Sequence, residues 1–148
     1  MKYNKNLVDM VHELERDRRT VHREYSASLM SSTKWRVLMK AVDDAGVKQM
    51  IVKFIDNDRE YTTAGFDLDV PYQYADVVSG SRPLISVEWI EFPKVAIFPR
   101  SNNLPADQIP QDLDAIRAVI HATGKRYLLE ETDRGFRVIG HVPKVQSY

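Results

Sequence analysis

The chain has 148 residues, 43% hydrophobic and 28% charged, and a formal net charge of zero. That length suits one domain with its own core, and the even charge argues against a dedicated nucleic-acid binder, which normally carries a basic excess. Having no cysteine, the chain has no disulfide or thiolate chemistry; no apolar run nears the roughly 20 residues of a membrane span, so a cytoplasmic protein without a membrane partner is expected.

Residues 5–30 read as one amphipathic helix capped by Asn4 or Asn6, with Leu7, Val11, Leu14, Val21, Tyr25 and Leu29 at three-four spacing. Arg18 breaks this stripe within the basic cluster Arg16, Arg18, Arg19, His22 and Arg23. Residues 1–30 carry six Lys or Arg against five Asp or Glu, and Glu15–Arg19 is a favourable i,i+4 pair. A solvated face is therefore the better reading than a phosphate site. So thin a stripe predicts a helix held by a partner chain, homo-oligomerisation included, or by a groove on the body. Ser31-Ser32-Thr33 caps a second helix, Lys34 to Ala45, whose buried face is Trp35, Leu38, Met39 and Val42, and Gly46 ends it.

Residues 48–55 form a strand, and Asp56-Asn57-Asp58-Arg59 turns it into a returning strand at Glu60–Thr63. Residues 66–83 are punctuated by Pro71, Gly80 and Pro83 and read mostly as loop, with one short element near Tyr72–Val78. Residues 84–92, Leu-Ile-Ser-Val-Glu-Trp-Ile-Glu-Phe, give the strongest strand signal, closed by Pro93. Ile85, Val87 and Trp89 occupy one face, Leu84, Ile90 and Phe92 the other, so this strand is expected at the centre of the sheet, covered on both sides. Val95–Phe98 is a short neighbouring strand and residues 100–110 a surface connection. Pro110 fits the first turn of a third helix, 111–123, faced by Leu113, Ile116, Val119 and Ile120. Residues 126–132 and 136–141 make a closing hairpin, with fraying from Pro143.

Three segments carry a family resemblance: Thr33-Lys34-Trp35-Arg36-Val37-Leu38, Ile85 through Phe92, and a final helix and strand ending Ile139-Gly140-His141. Over about residues 32–142 the chain resembles an uncharacterised bacterial family of small proteins with a Thr-Lys-Trp helix and an Ile/Val-Glu-Trp-Ile/Leu-Glu strand. It departs from that pattern in a longer hairpin near 127–137. The resemblance implies no activity and no catalytic residues.

Chemistry-bearing motifs are few. The histidines, His12, His22, His121 and His141, have no metal-ligand spacing, and no phosphate loop or nucleophile elbow is present. No metal or cofactor is expected. Glu88 and Glu91 fall on opposite strand faces by alternation. Glu88 with His141 is the one candidate acid–base couple, set against a half-buried Glu88 paired with Arg36 or Arg137. Between Asp56 and Asp76 stand six acidic residues and one base, Arg59, with tyrosines interleaved. Asp56, Asp58, Glu60, Tyr61, Asp67, Asp69, Tyr72 and Tyr74 are therefore the candidate surface for a basic protein partner. A solvated loop is the alternative.

These patterns predict a single α+β domain at 31–148: an antiparallel-rich sheet with two packed helices, preceded by a partly detached helical extension at 1–30. A non-enzymatic protein-binding domain, such as an immunity or inhibitor protein blocking a basic nuclease toxin, ranks first. A small-molecule enzyme or ligand binder using Glu88 and a histidine ranks second, and nucleic-acid binding through the first helix third.

Overall fold

In the computed structural model, which describes residues 7–77 and 80–145, helix α1 (Leu7–Glu24) runs into a short strand, β1 (Tyr25–Ser28). Helix α2 (Ser32–Asp44) follows, its first turn capped by the Ser31 hydroxyl, which accepts from the Lys34 amide. Gly46 closes it at a φ of 76°, a conformation open to glycine at little cost. Strands β2 (Met50–Phe54) and β3 (Glu60–Thr63) form the expected hairpin, and β4 (Tyr74–Val77) pairs with β5 (Gly80–Pro83). One 3₁₀ turn (Leu84–Ser86) precedes β6 (Val87–Pro93), β7 (Val95–Phe98) and β8 (Asp107–Pro110). Helix α3 (Leu113–Ala122), β9 (Leu129–Glu131), β10 (Gly135–Ile139) and β11 (His141–Pro143) complete the chain. The expected caps at Asn4 and Asn6, the helix start at residue 5, Val78 and the tail from 146 lie outside the described residues.

The α+β class holds. The main sheet is antiparallel, ordered β3-β2-β6-β10-β9, so the expected central strand is there. It spans Val87–Pro93 rather than 84–92: Leu84–Ser86 form a 3₁₀ turn and Pro93 still pairs with Gly135. One face is the core. Met50, Val52 and Phe54 of β2, Ile90 and Phe92 of β6, and Phe136 and Val138 of β10 pack there under two helices. Those helices supply Trp35, Leu38, Met39 and Val42 from α2 and Ile116 and Ile120 from α3. Each such fully buried side chain contributes about 1.5–3 kcal/mol.

Several boundaries differ from the sequence reading. Helix α1 stops at Glu24, because Tyr25–Ser28 pairs antiparallel with β11. Pro143, expected to fray, lies in that pairing opposite Tyr25. The buried face of α1 is Met10, Leu14, Asp17 and Val21, while Leu7 and Val11 are exposed. Met10 and Leu14 pack on Tyr74, Val70 and Ile85, which seats the helix against the body. Val95–Phe98 (β7), expected beside the central strand, pairs instead with β8 from the 100–110 connection in a two-stranded sheet of its own, and the first turn of α3 is capped by Asp112 rather than opened by Pro110. The 66–83 segment holds the β4–β5 hairpin, as alternation is too short there to read.

Candidate functional site

On the second face of the sheet, away from α2 and α3, the charged side chains of Lys53, Glu88, Glu91 and Arg137 gather rather than the apolar cover expected from the sequence. Opposite Lys53 and Phe54 of β2, strand β6 carries a bulge: Lys53 faces Trp89 and Phe54 faces Val87, leaving Glu88 as the extra residue. Strict alternation would send Glu88 toward the core beside Ile90. The bulge instead re-aims it to Lys53, whose Nζ lies 3.0 Å from Glu88 Oε1. The Tyr25 hydroxyl donates to the same oxygen. Burial, and then that hydrogen bond to the carboxylate, raise the Tyr25 pKa well above the normal phenol value, so the hydroxyl keeps its proton.

His141 lies beside this group, its ring 5.4 Å from that of Tyr25. Its Nε2 is 2.7 Å from the Ile85 carbonyl oxygen, which only accepts, so Nε2 carries the proton. Nδ1, 2.9 Å from Ser28 Oγ, accepts from that hydroxyl in the neutral ring. Burial lowers the pKa of His141, against smaller raising effects from the Ile85 carbonyl and Glu88.

Farther along the same face Glu91 is completely buried. Arg137 Nε donates to its Oε1 at 2.8 Å, and Arg134 Nε approaches Oε2 at 2.6 Å as an ion-pair contact outside hydrogen-bond angles. Arg134 also reaches Glu60 at 2.9 Å. The Arg137 guanidinium lies 3.8 Å over the Trp89 ring, so Trp89 is buried beneath a cation rather than an apolar layer.

Arg134 also borders a groove of about 770 Å³. Ile51 of β2 and Thr62 and Thr63 of β3 make one side, and Val95, Ile97 and Phe98 of β7 the other. Val95 and Ile97 are 36% and 52% exposed. Two amides hold this hairpin in place. Gln49 donates to the Ile97 carbonyl and accepts from the Ile97 amide, both at 2.8 Å. Gln111 accepts from the amides of Lys48 and Gln49 and donates to the carbonyls of Gln49 and Pro93. Among the described residues, Lys48, Lys94 and Arg134 are the charged lining residues, and no acidic residue lines the groove.

The family model for a family of unknown function, DUF6678, matches residues 18–145. The chain belongs to DUF6678. No curated protein and no solved structure matches it. Membership of an uncharacterised family, expected from the Thr-Lys-Trp and Val-Glu-Trp segments, therefore holds, and the DUF6678 match reaches farther toward the N-terminus than residue 32. It takes in β1, the Glu88 cluster and every groove residue.

In this DUF6678 chain the candidate residues are scattered among separate tasks. Glu88 pairs with Lys53 and Tyr25, not with Arg36 or Arg137. Arg36 instead donates to the backbone carbonyls of Leu68, Val70, Pro71, Tyr72 and Tyr74. Glu88 and His141 are both near Tyr25, yet each is engaged by other groups, so no direct acid–base pair forms. Tyr74, expected as a surface anchor, is buried under α1, where its hydroxyl donates to the Met10 carbonyl at 2.8 Å. Tyr61 stacks obliquely on Phe54, and Tyr72 lies under Arg36 with its hydroxyl bonded to Thr33. Asp56 pairs with Arg82 at 2.9 Å, Glu60 turns to Arg134, and Asp67 is bridged to Asp76 and accepts from the Asp69 amide. Asp58 is exposed. Gln49, Gln111 and the groove escaped sequence reasoning, since a lone glutamine carries no periodic signal. Among the described residues no His, Asp and Glu side chains gather as metal ligands, and no helix is long and apolar enough to cross a membrane.

Proposed function

We propose that this protein is a non-enzymatic protein-binding domain whose contact surface is the groove between β2–β3 and β7. One observation carries the reading: Val95 and Ile97 stand exposed beside Ile51 and Phe98 in a groove whose walls are fixed by amide clamps. Contiguous apolar surface of this kind favours a partner, and a preformed wall lowers the ordering cost of binding. The Glu88–Tyr25–Lys53 cluster and His141 spend their hydrogen bonds on joining β1 and β11 to β6, and none of them lines the groove. That favours binding over acid–base chemistry. The acidic segment around Asp58 and Tyr72 supports an inhibitor of a basic toxin less well, because Tyr74 is buried and Asp56 and Glu60 are already paired with arginines. A cytoplasmic setting fits a chain without cysteine.

The test compares partners captured by the wild type, by Val95→Glu/Ile97→Glu and by Asp58→Lys/Tyr72→Ala, with thermal melting as the folding control. A partner lost only with the groove variant supports the reading. One lost only with the acidic-segment variant overturns it.

A further inference from the structure

We infer that the groove takes an extended polypeptide segment, added as a strand along the outer edge of β3, that carries a carboxylate beside apolar side chains. The inference rests on the groove being the contact surface and adds the chemistry of its occupant.

Three observations converge. First, β3 is the outermost strand of its sheet and has no strand on its outer side among the described residues. Such an edge presents main-chain donors and acceptors at strand spacing, which is the template for strand addition. The edge is not blocked by proline or by a bulge within Glu60–Thr63, two common protections.

Second, Thr62, Thr63 and Ala64 of this edge also line the groove, as does Ile51 across the hairpin. Thr62 pairs with Ile51 and so shares its sheet face, the one away from the helices. An added strand shows alternate side chains to the two faces, so every second residue of the occupant would point into the groove. There it meets Ile51, Val95, Ile97 and Phe98, which reward apolar residues.

Third, the charge at the rim has one sign. Arg134 is compensated by Glu60 and Glu91, but Lys48 and Lys94 are exposed, with no ion-pair partner among the described residues. An acidic residue in the occupant complements them, and a basic one is repelled. A small amphiphilic carboxylate would use the apolar wall and the lysines and leave the β3 edge idle. The open edge is what favours a polypeptide.

The experiment measures fluorescence anisotropy of labelled, amidated peptides on the full chain at low salt. The probes are Thr-Val-Thr-Leu-Thr-Glu, its lysine counterpart Thr-Val-Thr-Leu-Thr-Lys, and the glutamate peptide N-methylated at alternate amides. The glutamate peptide should bind at least about tenfold more tightly than either other probe, with the preference over the lysine peptide reversed in Lys48→Glu/Lys94→Glu. Equal binding of the lysine peptide, or of the N-methylated one, overturns the inference, as does displacement of a bound apolar dye by dodecanoate while no peptide binds. Ile97→Glu separates the two levels of the argument. If an apolar dye or a captured protein partner loses binding on Ile97→Glu while no peptide discriminates, the groove reading stands and the occupant is wrong. If Ile97→Glu changes no binding of any kind, both fail.

Discussion

Replacing Glu91 tests the claim that the second sheet face is held by a buried carboxylate between two arginines. Breaking a buried ion pair by removing one partner costs about 3–5 kcal/mol when the remaining charge stays buried. Here the cationic partners are not equally trapped: the side chain of Arg137 is 24% exposed and that of Arg134 45%. Arg134 also keeps Glu60, so it can turn outward at little loss. Arg137 is pinned over Trp89 and recovers less water. Glu91→Ala should therefore cost less than that range, about 2–3 kcal/mol, including a small cavity contribution. For a chain of this size that is a fall in Tm of about 4–12 °C. Urea unfolding followed by tryptophan fluorescence measures it directly, since Trp89 lies beneath Arg137. Raising salt to about 0.5 M should leave most of the loss in place, as buried pairs are screened much less than exposed ones. A loss below about 1 kcal/mol, or one that vanishes in salt, would mean that Glu91 is solvated and the face open.

Gly140→Ala should destabilise by about 1–3 kcal/mol, because a Cβ there would lie 2.6 Å from the Val87 carbonyl oxygen and 2.9 Å from that of Glu88. Gly135→Ala, with its Cβ 1.9 Å from the Phe92 carbonyl oxygen, should be worse, and thermal melting ranks the two. His141 has a folded pKa below its ordinary 6.5, so below that pH the unfolded chain binds the extra proton and stability falls as pH drops. Urea titrations between pH 7 and pH 5 should show this slope in the wild type and a shallower one in His141→Gln.

The central strand was legible because its signal is local: a dense β-branched and aromatic run stopped by Pro93. The helix boundary at Glu24 was not. Tyr25 and Leu29 continue a three-four spacing by chance, and only pairing with residues 141–143, far away in sequence, makes the segment a strand. The bulge at Glu88 is equally invisible, since alternation is the very rule that it breaks. Without it alternation set Glu88 on the face of Ile90 and Phe92, as a half-buried carboxylate to be paired with Arg36, Arg137 or His141. The tyrosines misled for a different reason. Composition cannot tell a tyrosine offered to solvent from one, such as Tyr74, whose ring fills the space under a helix. The groove had no signature at all, because its walls come from β2, β3 and β7 and are fixed by side-chain amides from two further positions.

The pairing of β1 with β11 also orders events in time. Ser28 and His141, bonded across 113 residues, meet only after the segment between them has left the ribosome. Until residues 141–143 are present, β1, which carries Tyr25 to Glu88, lacks the strand that it pairs with. Contacts of such long sequence separation are slow to close. A chain stopped before residue 141 keeps β10 and the strands of the main sheet but leaves β1 without its ladder, an open seam. The seam is where a chaperone or a protease would find the unfinished molecule, and hydrogen exchange on a chain stopped before residue 141 would show β1 unprotected beside a protected β6.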